Sequence, residues 1–334
     1  MSSVPGSPVI RVAVLGFWHV HAGDYANSVL AHPDTELVAV WDDDLERGRA
    51  GAEQFGVEFV ADLDTLLARD DIDAVTVTTA TRPHRDVMVA AARAGKHIFT
   101  EKVLAPTLDE TAEILAAVRE NGVQLEVSLP RLYEATTVTA LDALEQGRLG
   151  RLTYARIRLA HDGALAGWLP ERFFDEHDAI GGALTDLGCH PVYLAQRFLG
   201  ARPESVTAAY TSVTGRALED NAVVTATYPD GAIAVIEASN VTVPGAFAFE
   251  LRGTEGTLLF GFGGERLLAK GPHFDPESWT ELPLLDAADG PFSRWVHAIR
   301  TGTPDAANLD AAVELTRLVV AANEAASTGT TVRL

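Results

Sequence analysis

Over the first 130 residues the apolar positions switch repeatedly between two spacings. Val9 to Leu15 is a short, mostly apolar run closed by Gly16, the pattern of a strand buried on both faces. Glu36–Trp41, Ala74–Thr78, His97–Thr100 and Val123–Val127 repeat it. Between them Val20–Leu30, Leu45–Phe55, Asp86–Ala94 and Leu108–Arg119 carry helical spacing, with stops at Gly56, Gly95 and Gly122. Strands alternating with helices at this spacing predict βαβ units, hence an α/β domain with a doubly wound parallel sheet.

After Pro130 the texture changes. Ala135–Gln146 and Ala183–Leu199 read as helices flanking a strand at Leu152–Leu159. From Ser205 to Phe262 short alternating strands follow one another, separated by Tyr228-Pro-Asp-Gly231, Val243-Pro-Gly245 and Gly253-Thr-Glu-Gly256. Strands this close in sequence pair as antiparallel hairpins, because parallel neighbours need a crossover of about a dozen residues or more. Helices at Phe292–Arg300 and Leu309–Ala326 close the chain. The second part is therefore predicted to be α+β with a mostly antiparallel open sheet. The boundary is placed near residues 128–132, giving domains 1–129 and 130–334, with closing helices that can return to the first.

A length of 334 residues suits two domains. With 26 Lys and Arg against 47 Asp and Glu, the net charge of −21 argues against nucleic acid and anionic membranes, both of which are bound mainly through basic side chains. The single cysteine, Cys189, cannot close an internal disulfide, which fits a reducing cytoplasm. Met1–Pro8 shows no leader pattern, and no uncharged apolar run reaches the ~18 residues of a membrane span. Only Lys96, Lys102 and Lys270 are lysines, the other basic residues being arginine, so a lysine in a pocket stands out.

Three stretches carry candidate chemistry. The first is the turn Leu15-Gly16-Phe17-Trp18-His19-Val20-His21-Ala22, where a dinucleotide-binding sheet places G-x-G-x-x-G and receives a pyrophosphate at a helix N-terminus. Gly16 is kept, while Trp18 and His21 stand at the other two glycine positions. Asp42, at the end of the second strand, is placed to bind a ribose 2′-hydroxyl, and a carboxylate there disfavours a 2′-phosphate. His19 and His21 also open a rival reading as a His-x-His metal site. That reading requires a (β/α)₈ barrel with further ligands at later strand ends, where the other histidines do not fall, so no metal is assigned. The second stretch is Thr100-Glu101-Lys102-Val103 at a strand end, where doubly wound sheets bind ligands. The third is Gly181-Gly182-Ala183-Leu184-Thr185-Asp186-Leu187-Gly188-Cys189-His190-Pro191. On a helix Asp186 and His190 share a face, and a carboxylate one turn from an imidazole can orient it as a general base. Cys189 itself reads as a small core residue.

Taken in order, these stretches resemble the Gfo/Idh/MocA family of oxidoreductases over nearly the whole chain. Thr78-Thr79-Ala80-Thr81-Arg82-Pro83-His84, Ala94-Gly95-Lys96-His97-Ile98-Phe99-Thr100-Glu101-Lys102, Glu219-Asp220-Asn221 and Ala326-Ser-Thr-Gly329 add to the likeness. It implies a Rossmann first domain in which Gly16 and the turn Phe17, Trp18, His19 and Val20 cradle the pyrophosphate of NAD, preferred over NADP. Asp42 would hold the adenosine ribose, and Thr79, His84 and Glu101 would line the cofactor cleft. Lys102 matches the lysine of the family's Glu-Lys-Pro motif, with Val103 in place of the proline, and Ala80 replaces a further family proline. Asp186 and His190 match an Asp-x-x-x-His pair whose histidine accepts the proton. The implied activity is hydride transfer between a nicotinamide and a carbinol of a sugar, polyol or related small molecule. Two alternatives stand beside it: a relative without net redox, such as an NAD-assisted glycosidase, lyase or epimerase, and a non-catalytic sugar- or nucleotide-binding relative with Trp18 in the pyrophosphate space. Arg131, His161 and Trp168 are candidate substrate contacts from their placement at the start of the second domain and before Gly181. The open sheet of that domain implies a homodimer or homotetramer.

Overall fold

The structure, a computed structural model, describes residues 8–334. The reading of the first residues as leaderless therefore falls, for residues 1–7, outside the described residues.

In chain order the first elements are β1 (Ile10–Leu15), α1 (Ala22–Ala31), β2 (Thr35–Trp41), α2 (Leu45–Phe55), β3 (Glu58–Phe59), α3 (Leu63–Leu67), β4 (Ala74–Val77), α4 (His84–Arg93), β5 (His97–Thr100), α5 (Leu108–Asn121) and β6 (Leu125–Val127). There follow α6 (Ala135–Glu145), β7 (Leu152–Ala160), α7 (Gly163–Ala166), a π-helical turn at Leu184–Gly188 and α8 (Cys189–Leu199). The strands β8 (Ser205–Thr211), β9 (Asn221–Thr227), β10 (Ile233–Ser239), β11 (Ala246–Gly253), β12 (Thr257–Phe260), β13 (Leu267–Lys270) and β14 (Thr280–Glu281) come next. The chain closes with α9 (Pro291–Thr301), α10 (Ala306–Thr328) and β15 (Val332–Arg333).

The chain divides into two compact units. The first runs to Ser128 and takes up Pro291–Asp310; the second holds Leu129–Gly290 and Ala311–Leu334. In the first unit a parallel sheet of order β3-β2-β1-β4-β5-β6 has its chain reversal between β1 and β4, the place where doubly wound sheets bind ligands. β1 and β4 are almost wholly apolar and buried, as strands covered on both faces must be. Local signals bound the helices. Asp44 caps α2 through its side chain and Gly56 ends it in the left-handed region, while Thr107 and Gly122 do the same for α5. From α9, Trp295 is fully buried and packs against Phe99 of β5 with ring centroids 5.7 Å apart. Asn308 meets the outermost strand, β6: its Oδ1 accepts from Val127 N and its Nδ2 donates to Val127 O, each at 2.9 Å.

The second unit is built on a sheet of order β14-β13-β12-β11-β7-β10-β9-β8-β15. All of its pairings are antiparallel except β7 with β10. The expected hairpins form at β8–β9, β9–β10 and β11–β12, but β10 and β11 do not pair; β7 lies between them. The long stretch of chain between β7 and β10 is what allows their parallel pairing. The helix expected over 183–199 is also interrupted. Its first turn, Leu184–Gly188, is π-helical, and regular α-helix begins at Cys189. The shared face argued for Asp186 and His190 assumed an unbroken α-helix; Asp186 sits in the wider turn and His190 in the regular one. No helix among the described residues is long and apolar enough to cross a membrane.

Candidate functional site

In the first unit the turn after β1 is held by its neighbours rather than by its own glycines. Gly16 adopts φ +94° with its Cα pressed on β4's end, where an added Cβ would stand 2.9 Å from the backbone of Thr79. Gly16 N donates to Trp41 O at 2.8 Å, Thr78 Oγ1 donates to Gly16 O, and His19 N donates to Thr78 O at 3.0 Å. Trp18 and His19 are buried, and Val20 is exposed. Phe17 stacks on Phe55.

Asp42 lies at the end of β2 as expected, but its carboxylate faces inward. Oδ2 accepts from Phe17 N (2.6 Å) and Arg47 Nε (2.9 Å), and Oδ1 from Asp44 N (2.8 Å) and Arg47 Nη2 (2.6 Å). Its side chain is 0% exposed, whereas that of Asp43 beside it is 56% exposed and also meets Arg47. Partial burial and the neighbouring Asp42 raise the Asp43 carboxyl above its ordinary value. The Arg47 guanidinium thus serves two carboxylates, a role the sequence hints at only through its spacing of five residues from Asp42.

Glu101, at the end of β5, is the electrostatic centre of this unit. Its side chain is 2% exposed, with Lys102 Nζ 3.8 Å from Oε2. Oε1 accepts from Tyr25 OH and lies 3.0 Å from His21 Nδ1, and Oε2 accepts from Lys102 N at 3.0 Å. His19 Nδ1 stands 3.9 Å from Oε1. Burial alone would raise this carboxyl, but His19, Lys102 and His21 together hold it well below the usual carboxylate range. Tyr25 is pushed well above the usual phenol by burial and by Glu101, so it remains a donor. Sequence reading missed Tyr25, whose signal is its place one helical turn after His21. His84 is buried with Nδ1 near Val103 O (3.1 Å) and Leu104 O (3.3 Å), and burial lowers its pKa. The peptide bond between Lys102 and Val103 is cis.

These residues fit a dinucleotide. Helix α1 begins at His21 with no side-chain cap, leaving amide donors of its first turn to a ligand. Thr79 Oγ1 and His84 Nε2 are buried without a protein hydrogen-bond partner. Gly16 admits the close turn that G-x-G-x-x-G provides elsewhere.

In the second unit His190 is buried on α8, and its Nδ1 lies 2.8 Å from Tyr193 OH, which accepts from Arg131 N at 3.2 Å. Tyr193, also missed by sequence reading, sits three residues along the same helix. Burial pushes its pKa well above the usual phenol. The π-helical turn is anchored by Glu219, whose carboxylate accepts from Gly182 N (3.1 Å) and Leu184 N (3.0 Å). Gly182 is required there, because a Cβ would come within 2.1 Å of Glu219 O. Asp186 is half-buried, and the buried Cys189 thiol donates to Asp186 O at 2.9 Å. The Arg131 guanidinium lies over Phe247 (4.0 Å) and pairs with Glu134 (3.1 Å). His161 and Trp168 pack together with centroids 4.7 Å apart, and Trp168, 52% exposed, donates to Asp162 Oδ1 at 2.9 Å. The barrel required by a His-x-His hydrolase is not formed, since the strands make separate six- and nine-stranded sheets.

The fold and its relatives together define an NAD(P)-dependent oxidoreductase. Residues 10–129 match the oxidoreductase family with an NAD-binding Rossmann fold, and residues 137–259 match the GFO/IDH/MocA C-terminal domain. The chain belongs to the Gfo/Idh/MocA family. It is 33% identical over 229 residues to the 1,5-anhydro-D-fructose reductase of Ensifer adhaerens, covering 67% of this chain and 68% of that one. With the scyllo-inositol 2-dehydrogenase (NAD(+)) of Bacillus subtilis it shares 28% identity over 326 residues, or 94% and 93% of the two chains. Its fold matches a 3-ketoreductase from Actinomadura kijaniata, solved with NADP and TDP-benzene, at a TM-score of 0.83 and 24% identity over 96% and 98% of the chains.

Proposed function

We propose that this protein transfers hydride between NAD and a carbinol carbon of a sugar or polyol. The observation that carries the reading is the buried Glu101–Lys102 pair at the end of β5, on a sheet whose β1 turn leads into an uncapped helix start. When bound, the nicotinamide supplies the two-electron acceptor or donor. The chain's residues supply the rest. As the carbinol C–H bond breaks, its hydroxyl proton passes to His190, and the Lys102 ammonium stabilises the developing alkoxide. Asp186 and Tyr193 orient the imidazole. Glu101 fixes Lys102 and, with Thr79 and His84, lines the nicotinamide side; Arg131, His161 and Trp168 contact substrate. The sugar class is supported by the names of the two relatives, which act on an anhydro-fructose and an inositol.

The preference for NAD rests on charge at the end of β2. Asp42, Asp43 and Asp44 stand against one arginine, Arg47, whose guanidinium is already engaged, so a 2′-phosphate would meet net negative charge. Asp42 shapes the ribose end of the site by fixing Phe17 and Arg47, and Asp43 offers the exposed carboxylate. The open face of the second unit's sheet is the surface through which copies would pair.

The test is titration of nucleotide-stripped protein with NADH and NADPH, followed by energy transfer from tryptophan to the reduced nicotinamide. Tighter binding of NADH is expected, and NADH formation should then identify a substrate in a polyol and sugar panel. Lys102→Ala and His190→Ala should each lose about 10²–10⁴-fold in turnover while keeping NADH affinity. Failure to bind either nucleotide, or near-full turnover in both variants, would overturn the assignment.

A further inference from the structure

His21 stands where dinucleotide-binding turns carry glycine, and the two imidazoles of His19 and His21 converge with Glu101. One ligand atom from each of the three lies within 4.8 Å of the others. His21 Nδ1 is 3.0 Å and His19 Nδ1 3.9 Å from the same oxygen, Glu101 Oε1, and the two rings are 4.6 Å apart between centroids. A zinc ion with nitrogen and oxygen ligands at about 2.0–2.1 Å holds tetrahedral ligand atoms roughly 3.3 Å from one another. The spacing found is within side-chain adjustment of that figure.

We propose that His19, His21 and Glu101 form a binding site for one zinc-class divalent ion, with the fourth position open to water or to an oxygen of a ligand. Two imidazoles and one carboxylate select a transition metal over magnesium or calcium, which prefer all-oxygen sets. The ligands are poised differently. Glu101 and His19 are buried and fixed by their surroundings, whereas His21 has a side chain 41% exposed and gives the ion a way in. His19 Nδ1 accepts a long contact from His21 N at 3.2 Å, which ligation replaces because that nitrogen offers a single lone pair. A carboxylate has about four lone-pair positions, so Glu101 can keep Tyr25 OH and Lys102 N as donors while ligating. Binding exchanges the proton between His21 and Glu101 for the ion and releases it to solvent. The three ligand atoms converge on a single point, which sets the stoichiometry at one.

This site stands independently of the nucleotide assignment, because it needs only the three side chains. The test is calorimetric titration of chelator-treated, metal-free full chain with zinc alone, with no nucleotide present. Cobalt is used in parallel for the visible absorption of its tetrahedral nitrogen–oxygen complexes. One equivalent should bind. His21→Ala, which removes a half-exposed ring, should weaken binding by more than about a hundredfold, since even outer-shell partners are worth roughly 10–100-fold. His273→Ala, which removes an exposed histidine paired with Glu255 in the other unit, should leave binding unchanged. X-ray absorption at the zinc edge of the wild-type complex should report two imidazoles and one carboxylate, a readout that needs no variant to fold. Absence of binding, unchanged affinity in His21→Ala, or a zinc shell without two imidazoles would each overturn the proposal. NADH binding in the same preparation reports separately on the nucleotide assignment.

Discussion

Glu101→Gln keeps the size of the side chain and removes its charge. In the wild type that charge faces Lys102 at 3.8 Å and His21 at 3.0 Å, the side chains of the Glu–Lys pair being 2% and 3% exposed. Removing one partner of a buried pair costs about 3–5 kcal/mol, because the other charge is left uncompensated. The amide retains one carbonyl acceptor for Tyr25 or His21, which places the expected loss near the lower end, about 3 kcal/mol. At roughly 2–4 °C per kcal/mol for a unit of this size, the melting transition should fall by roughly 6–12 °C. The pH dependence gives a second, sharper readout. Glu101 has a folded pKa below its unfolded value, so its contribution is present above the ordinary carboxylate pKa and is lost as pH falls through the folded value. Wild type and variant should therefore differ most near neutrality and converge in acid. The assay is thermal unfolding by circular dichroism across that range, with free energies from urea titration at 25 °C. A melting temperature within ~1 °C of wild type, or a difference that does not shrink in acid, would refute the claim that Glu101 is a buried, ionised partner of Lys102.

Glu126 on β6 is the opposite case: buried with both carboxyl oxygens lacking a partner, it is pushed up to about 9 by burial and by Asp305. The folded chain keeps a proton that the unfolded chain releases, so stability falls as pH rises from the ordinary carboxylate value toward that figure. Glu126→Gln should be near neutral at about pH 5 and stabilise by roughly 4 kcal/mol near pH 8, at about 1.4 kcal/mol per pH unit, measured by urea unfolding at both; a constant effect would exclude the titration. Gly16→Ala adds left-handed strain of roughly 1–2 kcal/mol and overpacking of roughly 1–3 kcal/mol against Thr79, so a loss of several kcal/mol and of NADH binding is expected; a wild-type urea midpoint would contradict the contact. Tyr193→Phe removes the hydroxyl beside His190 Nδ1 and should shift the pH profile of turnover while leaving NADH affinity unchanged; an unmoved profile would deny Tyr193 an orienting role.

Much of the first unit is legible in the sequence because its signals are local. β1 and β4 are apolar runs long enough to register, and Asp44, Gly56, Thr107 and Gly122 mark helix ends by their own chemistry. The two-residue β3, β14 and β15 and the five-residue α3 carry too few positions to show a period. The parallel pairing of β7 with β10 is a long-range event that neither strand announces. The same division applies to the sites. Position along the chain points to Glu101, Lys102 and His190, but not to what surrounds them. The carboxylate of Asp42 is visible; that Arg47 and two amide groups enclose it is not. Nor does the sequence indicate that Glu219, 37 residues beyond Gly182, anchors the turn before His190.

The amide of Asn308 has a consequence for how this molecule behaves in a crowded solution. An outermost strand normally offers bare peptide groups on which a foreign strand, or a second copy, can add and propagate. At Val127 both groups are taken by a side chain that imitates a peptide unit, and the opposite margin of the sheet, β3, is only two residues long. The parallel sheet therefore has a two-residue margin on one side and, at Val127, occupied peptide groups on the other, so one asparagine and one truncated strand remove places where a foreign strand could add.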